Sequence, residues 1–284
     1  MEIKITKMHG CGNDYIYVNC FEKELPNPEK ISAEMSPRHF SVGSDGLIMV
    51  CRSSVADAKM RMFNLDGSEG KMCGNGIRCV GKFVHDYGLS DKTELDIETL
   101  SGIKHLSLHL KDGKVDTVTV DMGKADITAK NIPVAAKTET VVGSPVVIGG
   151  KEYKITCVSM GNPHAVTFVK NTDDIEIEKI GPKFEFDPMF PERVNTEFAE
   201  IVGKSTIKMR VWERGSGETY ACGTGACATA VAAILSGHCE YDTPITVKLI
   251  GGDLSITVKK DLSVLMTGSA TKVYEGVYEY EDKP

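Results

Sequence analysis

The sequence lacks the features typical of membrane-spanning, secreted and nucleic-acid-binding proteins. No apolar run approaches the roughly 20 residues of a membrane-spanning helix, and residues 1–4 alternate apolar and polar side chains, unlike the apolar core of a signal peptide. The 33 basic residues are outnumbered by 40 acidic ones, and no basic cluster offsets the net charge of −7. We therefore expect a cytoplasmic protein that binds neither a membrane nor nucleic acid.

The nine cysteines lack the spacings of a metal site or a redox motif. No Cys-x-x-Cys pair occurs, and no cysteine lies at zinc-finger spacing from a histidine. An odd number of cysteines in a chain of 284 residues also disfavours a disulfide framework. Gly10-Cys11-Gly12 lacks the third glycine of a dinucleotide fingerprint, and no P-loop occurs. We expect no metal and no cofactor, and we interpret the cysteines as buried thiols with one or two catalytic ones among them.

Hydrophobic patterning predicts many short strands and a few helices. Strands are predicted from alternating or apolar runs between turn residues, at 3–5, 15–18, 46–51, 59–63, 105–110, 115–122, 141–148, 153–159, 165–169, 245–250 and 254–259. Helices are predicted at 26–36, from Gly76 to Tyr87, and at 226–235. The last of these is apolar all round, which predicts a central helix surrounded by a sheet.

An internal repeat divides the chain. Gly12-Asn13 is followed 60 residues later by Cys73-Gly74-Asn75-Gly76, and Gly161-Asn162 is followed 60 residues later by Cys222-Gly223-Thr224-Gly225. The offset between the copies is 149 residues. We therefore predict an α+β protein of two pseudo-symmetric domains, each a mostly antiparallel, barrel-like sheet around a central helix. The first domain would span 1–122 with a C-terminal strand near 270–284, and the second 123–269.

Cys73 and Cys222 each precede a predicted helix. The unsatisfied N–H groups and the dipole at a helix N-terminus stabilise a thiolate and can also hold a carboxylate. The simpler interpretation is a turn with a buried cysteine, and the repetition of the motif makes it less attractive. Two thiols could act as base and acid on opposite faces of one carbon and so invert a stereocentre. Thiol–disulfide exchange and a Cys–His hydrolase using His9 or His164 are the alternatives.

The motifs around these cysteines resemble the diaminopimelate epimerase family of cofactor-independent amino-acid racemases. The matching segments run in the family's order over nearly the whole chain: 8–14, 63–69, 73–79, 160–164, 191–195, 213–219 and 221–227. The resemblance implies epimerisation of LL-diaminopimelate to the meso form, which serves lysine and peptidoglycan synthesis. It also implies that Cys73 and Cys222 are the two acid/base residues.

The resemblance assigns further roles by position. Backbone N–H groups would hold the carboxylate at the reacting centre, at Gly74, Asn75, Gly223 and Thr224. The distal amino-acid end of the substrate would be bound by Asn13, Asn64, Asn162, Asn195 and Arg214. Glu213 would take the distal ammonium and lie near the thiols, and His164 would tune the pKa of Cys73 or Cys222. Many family members carry Gln where Gly46 stands here, so this chain lacks one side-chain amide near the site.

Two alternatives to this activity stay open at this point. A related racemase of another amino acid, such as proline or histidine, would have no use for Asn64, Asn195 and Arg214 together. A metabolite-binding protein that kept the fold would have lost one of the two cysteines, and both are present. The hairpin edges could support a homodimer, although no residue pattern demands one.

Overall fold

The computed structural model describes residues 1–281 and separates the chain into two compact units. The first unit comprises Met1–Val120 with the segment that begins at Thr267, and the second comprises Asp121–Met266. The sequence-based boundaries lie two to three residues further along the chain, at 122 and 269. Within the described residues, no helix is both long enough and apolar enough to cross a membrane.

The first unit is a sheet that encloses one long helix. Its elements are β1 (Glu2–Gly10), β2 (Asn13–Cys20), α1 (Pro28–Met35), β3 (Gly46–Cys51), β4 (Ala58–Asn64), β5 (Glu69–Gly70), α2 (Gly74–Asp86), β6 (Glu94–Thr99), β7 (Gly102–Lys111) and β8 (Lys114–Lys124). The C-terminal strand of the chain (Thr271–Glu279) pairs with β1. The pairs β2–β3 and β4–β6 are parallel, and the other pairs in this order are antiparallel.

The second unit repeats this design. Its elements are β9 (Ser144–Ile148), β10 (Lys151–Ser159), β11 (Pro163–Phe168), a 3-10 turn (Thr172–Asp174), α3 (Ile177–Glu185), β12 (Asn195–Gly203), β13 (Thr206–Glu213), β14 (Gly217–Glu218), α4 (Gly223–Leu235), β15 (Ile245–Leu249) and β16 (Gly252–Val258). Next come β17 (Ser263–Ser269) and the C-terminal strand, β18. The pairs β11–β12 and β13–β15 are parallel, as are their counterparts in the first unit.

The repeat offset holds for the elements as well as for the motifs. Adding 149 to the bounds of α2 gives the bounds of α4, and adding it to the start of α1 gives the start of α3. The same offset relates β2 to β11 and β3 to β12, within one residue at their starts. The predicted α+β fold of two similar, sheet-dominated domains is therefore confirmed.

The two long helices are the centres of their units. α2 packs against β1, β2, β3, β4 and β7, and α4 packs against β10, β11, β12, β15 and β16. Every residue of α4 from Ala226 to Ile234 is buried. Each fully buried Val or Ile stabilises the folded state by roughly 1.5–3 kcal/mol, so the apolar surface of this helix accounts for its central position. The small alanine side chains allow strands to approach it on all sides.

Several elements gave no clear signal in the sequence. Patterning did not indicate β6, β12, β13 or the helix α3. Pro182 lies inside α3 and removes one helical hydrogen bond, so local propensity disfavours that helix. Packing overrides the propensity, because Phe184 is fully buried and Gly181 lies against the indole ring of Trp212.

Candidate active site

The first half-site, defined as the residues around Cys73 in the first unit, is built on the N-terminus of α2. Cys73 is the N-cap residue, and its sulfur accepts a hydrogen bond from the Gly76 N–H at 3.3 Å. Its backbone is extended, so Gly74 and Asn75 occupy the first turn, where N–H groups point out of the helix. A half-buried sulfur thus lies beside the positive end of a helix dipole.

Asn13 connects this sulfur to a carboxylate. The Cys73 Sγ donates to the Asn13 Oδ1 at 3.1 Å, and the Asn13 Nδ2 donates to the Asp45 Oδ2 at 2.7 Å. Because a carboxylate only accepts, Asp45 fixes the amide with its oxygen toward the thiol. Asp45 is in turn held by Arg38. Neither Asp45 nor Arg38 was identified from the sequence, since a charged pair 7 residues apart in a loop looks like an ordinary surface ion pair.

Arg78 stabilises the turn that follows Cys73. It was not identified from the sequence. Its side chain is fully buried, and its guanidinium donates to the Gly74 carbonyl at 3.2 Å and to the Asn75 Oδ1 at 3.0 Å. A third bond reaches the carbonyl of Ser269 at 3.1 Å. Arg78 thereby fixes both residues that follow Cys73, one through its backbone and the other through its side chain.

Asn64 and Gly46 lie opposite each other on the strands β4 and β3 of the first unit. Asn64 ends β4 and donates to the Ser68 Oγ at 3.0 Å, in the turn that leads to Cys73. Gly46 pairs with Asn64 across β3 and β4, and a Cβ there would lie 2.0 Å from the Phe63 carbonyl oxygen. The close approach of the backbone explains why glycine stands at this position, so no side chain contributes there.

The second half-site, defined as the residues around Cys222 in the second unit, has the same cap on α4. The Cys222 sulfur accepts from the Gly225 N–H at 3.3 Å and lies 3.5 Å from the Thr224 Oγ1. Unlike Cys73, this residue is buried. Burial, and after it the negative charges of Glu213 and Glu197, raises the pKa of Cys222 well above its usual value. The free thiol form therefore predominates at neutral pH.

Glu213 lies at the end of β13, in hydrogen-bond contact with the Cys222 thiol. Burial raises the pKa of the Glu213 carboxyl, and hydrogen bonds from Thr219 and Cys222 offset part of that rise. This contact places Glu213 beside one of the two thiols.

The two ring nitrogens of His164 lie beside a carboxylate and an amide. Its Nδ1 lies 2.6 Å from the Glu197 Oε1, and its Nε2 lies 3.1 Å from the Asn162 Oδ1. Asn162 in turn donates to the Thr224 Oγ1 at 3.3 Å. Glu197 is fully buried on β12 and was not identified from the sequence. The same strand also carries Glu200, so the sequence does not reveal which of the two glutamates is buried.

Asn195 and Arg214 form a separate contact in the second unit. The Asn195 side chain donates to the Pro163 carbonyl at 3.1 Å and accepts from the Arg214 backbone N–H at 2.9 Å. The exposed Arg214 guanidinium donates to the Glu192 carbonyl at 2.8 Å. Asn195 therefore fixes the backbone of the turn that carries Arg214, while most of the donors of Arg214 stay available to a carboxylate.

Each unit thus gathers its own share of the residues proposed from the sequence. The first unit brings Cys73, Gly74, Asn75 and Asn13 together, with Asn64 at the start of the same turn. The second brings Cys222, Gly223, Thr224, Asn162 and Glu213 together, with His164 behind Asn162. Within residues 1–281, no group of three or more His, Cys, Asp or Glu side chains is arranged to hold a metal ion.

Replacing Gly225 by alanine is expected to disturb the Cys222 thiol. The added Cβ would lie 2.7 Å from the Glu197 Oε1 and 3.2 Å from the Cys222 Sγ, so the sulfur must shift by a few tenths of an ångström. We expect roughly 1–3 kcal/mol of lost stability and about a tenfold fall in kcat/KM. Urea unfolding and steady-state kinetics measure the two effects. Gly203→Ala is the control, because a Cβ there meets nothing closer than 3.5 Å; equal effects in both variants would contradict this account.

Solved structures with the same fold identify the class of protein. The Bacillus anthracis phenazine biosynthesis protein of the PhzF family superposes with a TM-score of 0.74 at 18% identity, covering 99% of this chain and 100% of that one. A hydroxyproline epimerase from Agrobacterium vitis superposes with a TM-score of 0.71 at 14% identity, covering 97% of this chain and 92% of that one. At these identities the likeness concerns the fold alone. Together with the two cysteine-capped helices, it places the chain in the class of two-domain epimerase-fold proteins.

Sequence comparison gives the family. The model of the diaminopimelate epimerase family matches residues 5–128 and 156–273. The diaminopimelate epimerase of Acetivibrio thermocellus is 56% identical over 275 residues, which cover 96% of this chain and 98% of that protein. The chain belongs to the diaminopimelate epimerase family and is an isomerase.

Proposed function

We propose that this protein epimerises LL-diaminopimelate to meso-diaminopimelate, in the synthesis of lysine and of peptidoglycan precursors. The observation that carries the proposal is the pair of cysteine N-caps, one at the start of each central helix, in a chain 56% identical to a diaminopimelate epimerase. Nine thiols that form no disulfide among the described residues suit a reducing compartment, which supports a cytoplasmic location.

The two thiols perform the inversion by moving one proton at each face of the α-carbon. The thiolate of one cysteine removes the α-proton and becomes a thiol, while the thiol of the other delivers its proton to the opposite face and becomes a thiolate. The charge that develops on the substrate between these events spreads into its carboxylate. The carboxylate is held by first-turn N–H groups of Gly74, Asn75, Gly223 and Thr224, which stabilise negative charge.

The distal end of the substrate requires a second set of polar groups. The Arg214 guanidinium matches a carboxylate with two parallel hydrogen bonds, and Asn195 holds the turn that presents it. Asn64, Asn13 and Asn162 add amide donors and acceptors. We assign the distal ammonium to Glu213, a half-buried carboxylate. This set favours a substrate with two amino-acid ends.

Solvent exchange tests the proposal directly. In deuterium oxide, the reduced protein without added cofactor is expected to place deuterium on the α-carbon while it converts the LL isomer to the meso isomer. Proton NMR follows the loss of the α-proton signal, and chiral chromatography follows the isomers. Folded, reduced protein that produces neither exchange nor meso isomer would overturn the assignment. Exchange on proline or histidine alone would replace it with the racemase alternative.

A further inference from the structure

Glu197 is a buried carboxylate that the reaction described above does not use. Its side chain is fully buried on β12, and its Oε1 lies 2.6 Å from the His164 Nδ1. Within residues 1–281, its Oε2 has no hydrogen-bond partner. A buried carboxylate with an unsatisfied oxygen costs folding free energy, so its presence calls for a function.

The first unit shows that the fold does not require an acid at this position. Subtracting the repeat offset from Glu197 gives Ile48, which is also fully buried. The two side chains occupy equivalent places: a Cβ on Gly76 would lie 2.8 Å from the Ile48 Cδ1, and a Cβ on Gly225 would lie 2.7 Å from the Glu197 Oε1. An apolar side chain therefore fills the space beneath the cysteine turn in one unit, and a carboxylate fills it in the other.

Glu197 is joined to the Cys222 sulfur by a chain of contacts. From Glu197 the chain passes through the His164 imidazole to the Asn162 amide at 3.1 Å and on to the Thr224 hydroxyl at 3.3 Å. The Thr224 Oγ1 lies 3.5 Å from the Cys222 Sγ. In the first unit the amide of Asn13 contacts its thiol directly, so the longer chain is particular to the second half-site.

We propose that Glu197 is a positioning residue of the second half-site, which anchors the His164 ring through Nδ1 and holds Cys222 in its protonated form by its negative charge. This inference rests on the proposed function. With Glu197 in this role, Cys222 is the proton donor at the start of the catalytic cycle. His164 then orients Asn162 and Thr224 beside the Cys222 thiol.

The charged groups that face Cys222 and Glu197 agree with this assignment. Glu213 faces Cys222 from β13 and Glu197 faces it from β12, and both charges disfavour the thiolate. Two other residues face Glu197: His164 on β11 and Cys157 on β10. Burial, with the charge of Glu197 as a second cause, raises the pKa of Cys157 to about 12. A carboxylate at this position thus suppresses ionisation of the thiols on both sides of it.

Thiol alkylation tests the proposal without relying on turnover. Iodoacetamide labelling of the full-length protein is followed from pH 6 to 10, and peptide mass spectrometry reads Cys222 and Cys73 separately. Glu197→Gln keeps the size and the acceptor for His164 but removes the charge. Because a nearby like charge shifts a pKa by roughly one unit or more, we expect the Cys222 labelling rate at pH 8 to rise about tenfold. Below the pKa, this rise corresponds to a fall of about one pH unit in the labelling midpoint. The Cys73 midpoint should not move.

Two further variants separate positioning from folding. Glu197→Ile introduces the residue that occupies the equivalent position of the first unit, so it suits this position in the fold. It should lower the Cys222 labelling midpoint by a similar amount. Because His164 then loses its hydrogen-bond acceptor, the kcat of Glu197→Ile should also be at least about fivefold below that of Glu197→Gln, with little change in KM. Glu200→Gln, on the same strand and bonded to Thr172, is the control and should change neither readout. An unchanged Cys222 midpoint in both Glu197 variants, or an equal shift at Cys73, would overturn the proposal. Altered labelling in a protein that does not act on diaminopimelate would instead refute only the proposed substrate.

Discussion

Replacing Cys222 or Cys73 by alanine is expected to lower the rate of epimerisation by about 10²- to 10⁴-fold. General acid–base catalysis contributes roughly 10²–10⁴ in rate, and each variant removes the only proton carrier that we assign to one face of the α-carbon. The loss falls in kcat, because the first-turn N–H groups that bind the carboxylate remain in place. Steady-state conversion of the LL isomer and the isotope exchange assay both measure the effect.

The matched control is a buried cysteine outside the half-sites. Cys239 is buried in the second unit, shortly after α4, and its sulfur lies 3.9 Å from the Lys204 carbonyl oxygen. Cys239→Ala should retain kcat within about twofold, because its cost falls on stability and not on chemistry. An alanine variant of Cys73 or Cys222 that kept a tenth of the activity or more would exclude the two-thiol mechanism.

Arg214→Ala is expected to lower kcat/KM for diaminopimelate about 100-fold. Charge-assisted hydrogen bonds contribute roughly 1.5–3 kcal/mol, and the guanidinium offers two of them to the distal carboxylate in parallel. Arg214→Lys should recover only part of the loss, since an ammonium lacks the planar fork. The measurement is steady-state kinetics with the LL isomer and with a substrate analogue that lacks the distal carboxylate.

The analogue makes this prediction specific. Removing the distal carboxylate should abolish the difference between the wild-type protein and the Arg214→Ala variant, because the guanidinium then has no partner on the ligand. Lys208→Ala is the control, since Lys208 forms a surface ion pair with Asp173. If Arg214→Ala retained wild-type kcat/KM for diaminopimelate, another group would have to bind the distal end, and the racemase alternative would regain support.

The sequence predicted the duplicated fold because repetition is visible in one dimension. The spacing of the Gly-Asn and Cys-Gly-x-Gly motifs identified two domains and the helix that follows each cysteine, and the structure has both helices at the same offset. The apolar character of 226–235 also predicted a buried helix, since a surface helix would carry polar residues on one face. Strand and helix signals failed where tertiary packing overrides local propensity, as in α3 with its internal proline.

The sequence by itself determined the two cysteine-capped helices, the apolar central helix of the second unit and the family of the protein, because these depend on residue type and local spacing. Only the tertiary structure decided which side chains surround each thiol. Asp45 and Glu197 lie 28 and 25 residues from their cysteines, and the folding of the strands brings them close. Ile48 and Glu197 occupy equivalent buried positions, and the sequence does not show that the second has a chemical role. That role depends on the neighbouring side chains, since burial and hydrogen bonding determine the energetic cost and the effect of a charge.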